Sequence, residues 1–319
     1  MKLDPSSKIV KFNWKNFLWI TLVHVFAFVF SWQYFSLSAL FAFLFLYYLT
    51  GMIGITFGFH RLLTHKGFYA PGWLKKIAAT CGTLCCQGGP ISWIGQHRLH
   101  HVYSDTPNDP HNAKRGFWYS HIGYIFWRRE DLNNVDICAR YCPDISKNSF
   151  YRFLEDFMIP LQFLFGIVLL LVGGFFFGET KGFDSYQAMS FVTWGVFVRL
   201  VVVYNVTWLI NSASHLWGGK PNKTKDEARN NLLTSLLSFG EGWHNNHHAQ
   251  PRSARHGWYW YQFDPTWILI CVLKFFGIVK NVQVPRLEKP KHVAKNPLTN
   301  VISSDKVLDT ELKLNESHQ

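Results

Sequence analysis

LSALFAFLFLYYLTGMIGITFGFHRLLTH, residues 37–65, decides the fold. Residues 37–59 carry no charge, and the run ends on His60, with His65 just beyond. A helix needs about 20 apolar residues to cross the hydrocarbon core of a bilayer. The stretch therefore reads as a membrane span that emerges onto imidazoles. Three further runs resemble it. Residues 17–32 and 157–178 are uncharged, and 188–210 is interrupted only by Arg199. The first is long enough once its flanks are counted, which places spans at about 14–34, 37–59, 157–178 and 188–210. Short connections near 33–36 and 179–187 join them as two helical hairpins.

Composition agrees. Hydrophobic residues make up 48% and charged ones 16%, against about 25% charged in ordinary soluble domains. The fold class expected is an all-α integral membrane protein, one domain over 1–285. Its four transmembrane helices are capped by helical segments at 60–156 and 211–285. Residues 286–319 are polar, with few aromatics, and read as a disordered tail. Within the cap, 73–93 reads as a buried or interfacial helix that Gly82, Gly88, Gly89 and Pro90 end before Trp93. Residues 265–279 read as an amphipathic helix lying on the membrane.

Basic residues set the orientation. Apart from Lys181 and Arg199, 30 of the 32 Lys and Arg fall on one side of the four spans. The positive-inside rule places that side, with both termini, in the cytoplasm. The net charge of +12 then reflects topology and contact with anionic lipid, and nucleic acid is not an expected partner. Lys2, Lys8, Lys11 and Lys15 lead into an anchor helix rather than a cleaved signal. The six cysteines form no CxxC and read as packing.

Fifteen histidines are present, and nine fall in four clusters. His60 and His65 form HxxxxH. His97, His100 and His101 form HxxHH, as do His244, His247 and His248. His215 follows Asn211 at i+4. All lie in or beside segments on the basic side. Residues at i, i+3 and i+4 share a helix face, so each HxxHH serves one ion, or divides between two. The i+5 spacing of His60 and His65 separates them by about 140° on an ideal α-helix. They serve different ions, or the helix ends between them. His24, His292 and His318 read as ordinary histidines, His256 as a borderline case, and His111 and His121 as weaker candidates. Asp105, Asp109 and Arg115 suit structural roles or the orientation of an imidazole.

Nine imidazoles are too many for one ion and suit two. Structural zinc sites favour cysteine, and no HExxH of a zinc protease is present. Soluble di-iron proteins use paired ExxH motifs, of which Glu241 and His244 make only one. An all-imidazole site for two ions fits iron best, ahead of copper and zinc. Beside a bilayer, two redox ions can activate dioxygen and remove hydrogen from a methylene, which no acid, base or nucleophile attacks directly.

At this level of detail the chain resembles the membrane fatty acyl desaturases, specifically the delta-9 group. The matching text is GITFGFHRLLTH (54–65), WIGQHRLHH (93–101), DPHNAKRGFWYSHIGY (109–124), NSASH (211–215) and GEGWHNNHH (240–248). The resemblance implies that His60, His65, His97, His100, His101, His215, His244, His247 and His248 bind two iron ions. Asn211 would reach iron through water. It implies dioxygen as co-substrate and a cis double bond in a saturated acyl chain as product. Gly95 and Gln96 stand where animal acyl-CoA desaturases carry charged headgroup contacts. With SARHG (253–257), this resembles cyanobacterial and bacterial forms in an inner membrane, and favours acyl-lipid over acyl-CoA. No HPGG haem stretch of a fused cytochrome b5 occurs, so electrons come from a separate ferredoxin or cytochrome b5-type donor. Steps of four from His60 put Tyr48, Met52 and Thr56 on one face as candidate walls of the acyl channel, and Trp93 is a fourth. Two other functions compete. A membrane di-iron hydroxylase of alkyl, sterol or carotenoid substrates would leave oxygen in its product. A metal transporter or sensor would place its ligands near the bilayer midplane.

Overall fold

A computed structural model describes residues 10–129, 132, 134–178 and 181–287. The tail expected from 286 lies outside the described residues from 288 onward, as do Lys2 and Lys8. Among the described residues, four helices are long and apolar enough to cross a membrane: Trp14–Gln33, Leu37–Thr64, Met158–Phe176 and Ser185–Leu216. Their outward faces are bare hydrocarbon, with Phe28, Phe41, Phe45 and Phe163 among the most exposed side chains. In water such a surface would aggregate; in lipid it is solvated. The chain is an integral membrane protein.

Polar caps set the helix starts. Asn13, Ser36 and Asp184 each accept from the backbone N–H three residues on, the favoured N-cap bond. The hairpins are tied at their far end by Gln187, whose side-chain oxygen accepts from Ser36 and Ser38. Arg199, the one charge inside the fourth run, is fully buried. Its guanidinium donates to Gly195 O, Thr50 Oγ1, Leu84 O and Gln162 Oε1. A buried ion is tolerated only with its donors satisfied, and here they also tie three helices together.

The second and fourth long helices run past the expected ends at 59 and 210, to Thr64 and Leu216. His60 and His215 are thus held on rigid helix. From Tyr48 to Thr64 the second helix is π-helical, with i→i+5 bonding such as His65 N–H to His60 O. In that geometry residues five apart stack one turn above another. The HxxxxH spacing suits this wider helix, and the 140° separation expected from an α-helix does not apply.

Helix Gly72–Thr83 packs along the second helix through glycines. A Cβ on Gly54 would lie 2.4 Å from the Gly82 nitrogen, so the two backbones meet without side chains between them. Gly54→Ala is expected to cost about 1–3 kcal/mol or more, the range for overpacking a tight core. Thermal unfolding in detergent should show a lowered midpoint, and an unchanged midpoint would contradict this packing. The helix expected over 73–93 ends before Trp93, as expected, but already at Thr83, one residue after Gly82; Pro90 occupies the first turn of a new one, Pro90–Tyr103, where a missing N–H costs nothing. Trp93 therefore sits inside the helix that carries the first HxxHH.

The fold is not wholly α. Val10–Phe12 pairs antiparallel with Trp127–Arg129, three residues a side, fastening the entry of the first helix to the cap. Helix Pro265–Phe275 buries Thr266 and Ile270 and exposes the apolar Ile268, Val272 and Phe275.

Candidate metal centre

Two short helices carry the HxxHH clusters, and each is held from outside. Glu155 accepts from the backbone N–H of Ile91 and Ser92 at 2.7 and 3.1 Å, a carboxylate at the positive end of Pro90–Tyr103. Asn246 anchors His244–Ala249. Its oxygen accepts from Asn222 and Asn230, and its amide donates to His256 O and Gln262 Oε1.

The nine clustered histidines gather as two groups. His60, His65, His97, His101 and His247 form one; His100, His215, His244 and His248 form the other. Within each, one ring nitrogen per residue lies within 4.8 Å of all the rest. Both HxxHH motifs divide between the groups, in opposite senses. His97 and His101 go with His60, while His100 goes with His215. His244 and His248 join His215, while His247 joins His60. Residues at i and i+4 point nearly the same way on a helix, and the residue at i+3 turns aside, so one short helix serves two centres.

In the first group Nε2 meets Nε2: His60 and His247 at 3.1 Å, His101 and His247 at 3.0 Å, His97 and His101 at 3.1 Å, His65 and His97 at 3.2 Å. In the second, His215 and His244 meet at 3.1 Å, and the buried Nε2 atoms of His100 and His248 have no hydrogen-bond partner. Carboxylates hold the opposite nitrogens. Glu241 lies 2.5 Å from His60 Nδ1, Asp109 3.0 Å from His100 Nδ1, Asp105 3.0 Å from His215 Nδ1 and Asp226 2.7 Å from His248 Nδ1. Each bond keeps the proton on Nδ1 and leaves an Nε2 lone pair facing inward. Facing lone pairs repel unless a cation lies between them. Charge gives the same answer. Two divalent ions would balance Asp105, Asp109, Asp226 and Glu241, which are otherwise an excess of buried negative charge. The donor set fits two metal ions.

Burial pushes His65, His97, His101, His244, His247 and His248 well below the ordinary histidine value, and their neighbouring rings add to it. Burial likewise brings His256 to about 4 and His111 to about 3. Burial raises Asp105, but its bond from His215 outweighs this and lowers it to about 2. Burial lowers His100, but Asp109 outweighs it and moves the group up. Where a folded pKa lies below the unfolded one, the unfolded chain binds more protons, so stability is lost as the pH drops. For His256 and His111 the loss begins near the ordinary value of 6.5 and runs to about 4 and about 3. For Asp105 it runs from 3.8 to about 2. His100 works against this trend and is outnumbered. The unfolding midpoint is expected to hold above pH 7 and to drop steadily below about 6.5. A midpoint flat from pH 7 to 4 would count against the buried neutral imidazoles.

The remaining candidates are placed as follows. His111 stacks near His100, with ring centroids 4.2 Å apart, and its Nδ1 lies 3.7 Å from Asp109. His121 is apart from both groups, bonded to Ser212 and Asn205, and Asn205 also meets His24. Asn211 lies one turn before His215 and donates to the Tyr124 hydroxyl at 3.3 Å. Arg115 stacks on the Tyr119 ring, 3.5 Å from its centroid. Glu241 does not form an ExxH pair with His244; it serves His60 and His256. Sequence reasoning missed Asp226 and the His256 contact. The turn residues around Asp226 and the SARHG stretch carried no ligand spacing to reveal them.

A cavity of about 570 Å³ borders the site. Its wall includes Trp93, His97, His111 and Asn211, with Trp19 and Met158 from the first and third long helices. Trp93 stacks on His97 at 5.1 Å. Tyr48, Met52 and Thr56 do not line this cavity. Thr56 Oγ1 instead meets Thr266 Oγ1 at 2.7 Å. Gly95 is no headgroup position either, since a Cβ there would lie 2.3 Å from Cys138 O. It lets two helices touch, while Gln96 lines the cavity.

The fatty acid desaturase family model matches residues 35–270. The chain belongs to the fatty acid desaturase family. It is 43% identical over 285 residues to an sn-1 stearoyl-lipid 9-desaturase of Anabaena variabilis, covering 89% of this chain and 98% of the relative. It is 40% identical over 273 residues to a chloroplastic palmitoyl-monogalactosyldiacylglycerol delta-7 desaturase of Arabidopsis thaliana, covering 84% and 67%. An acyl-CoA C20 Delta5-desaturase of Anemone leveillei is 40% identical over 270 residues, covering 84% and 80%. This chain is thus a membrane fatty acid desaturase, with the paired histidine clusters typical of that family's two-metal site. Family membership implies a lipid substrate and an electron donor.

Proposed function

We propose that this desaturase introduces a cis double bond at the delta-9 position of a saturated acyl chain carried by a membrane lipid. Two iron ions and dioxygen serve the reaction, and a separate ferredoxin or cytochrome b5-type protein supplies electrons. The observation that carries the reading is the pairing of nine clustered imidazoles, each buried or half-buried, with a cavity that reaches the first and third long helices. His60, His65, His97, His101 and His247 would hold one ion. His100, His215, His244 and His248 would hold the other, with Asn211 acting through water. When bound, the two irons supply the redox chemistry that removes two hydrogens from unactivated methylenes. An acyl chain, dioxygen, two electrons and two protons give the alkene and two waters.

The protein's own residues do the positioning. Glu241, Asp105, Asp109 and Asp226 fix the imidazole tautomers. Trp93, Trp19 and Met158 offer the hydrocarbon surface along which the chain would lie. Lys15 and Asn16, also in the cavity wall, are suited to a lipid's phosphate and ester. The packed Gly95 and neutral Gln96 favour acyl-lipid over acyl-CoA, in keeping with the lipid named for the Anabaena relative. Delta-7 and Delta5 relatives at 40% identity make bond position a matter of cavity depth. The distribution of basic residues favours a cytoplasmic site with both termini on that side.

Expression in a host unable to make unsaturated fatty acids, followed by mass spectrometry of intact lipids, tests this reading. Delta-9 monounsaturated chains esterified in lipid are expected. A hydroxylated chain would transfer the protein to the hydroxylase class. A bond at another carbon would correct the position alone.

A further inference from the structure

A second cleft, of about 670 Å³, lies on the histidine-bearing side and shares no lining residue with the substrate cavity. Lys66, Lys75, Lys76 and Arg252 line it, with Asp144 as the only carboxylate. Asp144 is already engaged, by Lys66 at 2.9 Å and Arg98 at 2.6 Å. Phe68, Tyr69, Phe150 and Tyr151 add aromatic wall. Lys75 lies 5.0 Å over the Tyr69 ring and Lys76 5.5 Å over the Phe150 ring. Such contacts orient an ammonium and leave its N–H donors available to an acceptor. Leu62 and Leu63 also line the cleft. The segment Leu62–Lys66 therefore presents one side to the cleft and delivers His65 to the five-histidine group on the other.

We propose that this cleft docks the electron carrier, a small protein with an acidic face, and that Lys66, Lys75, Lys76 and Arg252 read that face. The proposal rests on the desaturase reading, which requires reduction from outside. Each turnover oxidises two one-electron carriers. Their two electrons, with two from the C–C unit and four protons in all, reduce dioxygen to two waters. Three observations favour a protein over a lipid headgroup. The cleft is larger than a phosphate needs, its cations are spread along it, and it adjoins the backbone that holds His65. A separate entrance also lets the acyl chain stay in place while two carriers come and go.

The test uses the full-length enzyme in zwitterionic nanodiscs, with a plant-type ferredoxin and a soluble cytochrome b5 as probes. Lys75→Glu with Lys76→Glu is expected to weaken direct binding of the reactive carrier on the order of tenfold and to flatten its salt dependence. Turnover driven by a reduced viologen should stay within about twofold of the parent, since a small reductant needs no charged cleft. Lys75→Arg with Lys76→Arg should restore carrier binding. Unchanged carrier affinity and salt dependence in the reversal variant would overturn the proposal. So would an unchanged carrier affinity with lost binding to anionic phosphatidylglycerol vesicles, which would assign the cleft to lipid. If the reversal variant also loses viologen-driven turnover, Lys75→Gln with Lys76→Gln decides by the same binding measurement. If the parent forms no double bond with any reductant, the desaturase reading fails, while carrier binding still decides the docking.

Discussion

His247→Ala is expected to abolish double-bond formation and to lower bound iron from about two per chain toward one. His247 is fully buried, and its Nε2 lies 3.1 Å from His60 Nε2 and 3.0 Å from His101 Nε2. It is thus at the centre of the five-histidine group rather than at its edge. Loss of an outer partner of a metal ligand costs about 10–100-fold, so loss of the ligand itself should exceed a hundredfold in turnover. Asp226→Asn provides the graded comparison. Asp226 reaches the far nitrogen of His248, its other oxygen accepting from the Ala228 N–H, and its loss should fall in the smaller range, with metal retained but held more weakly. Elemental analysis of purified protein, alongside product analysis, separates the two. Full activity in His247→Ala would remove that residue from the ligand set, whatever its position.

The order of these two effects could not have been drawn from the sequence. Apolar runs and HxxHH spacings are local signals, and they marked all four long helices and every member of both histidine groups. Partner carboxylates are not local. Asp105 reaches His215 across 110 residues, and Asp226 reaches His248 across 22. Division of each HxxHH between two centres was one of two open readings, because spacing fixes a face but not how many ions lie before it. Periodicity arguments assume 3.6 residues per turn, and the second long helix abandons that period at Tyr48, which accounts for the i+5 histidines. Pro90 was read as a terminator because proline breaks a helix from within but starts one from its first turn, and the sequence alone does not say which side of the break matters.

Arg61 shows how much of the site's support lies hidden beside its ligands. In the sequence it is only the basic residue after His60 at a membrane exit. In the fold it is almost completely buried. Its Nε donates to Glu241 Oε1 at 3.0 Å, and its Nη1 donates to Asp264 Oδ2 at 3.0 Å and Ala254 O at 2.8 Å. Nη2 faces both carboxylates at 3.0 and 2.9 Å. Asp264 in turn accepts from the backbone of His256 and Gly257, and Glu241 holds His60 and His256. Arg61→Leu would leave two carboxylates buried with one cation fewer. Breaking such a pair typically costs about 3–5 kcal/mol, because the orphaned charge stays desolvated. Arg61→Lys should recover part of that loss, since a point charge cannot bridge both carboxylates as a planar guanidinium does. Adding Asp264→Asn to Arg61→Leu should cost less than the sum of the two single changes, as it removes one of the orphaned charges. Unfolding of the four proteins in the same detergent would measure the coupling. A loss below about 1 kcal/mol for Arg61→Leu would mean that the cluster behaves like a solvated surface pair. Glu241 would then need another reason to stay ionised against His60.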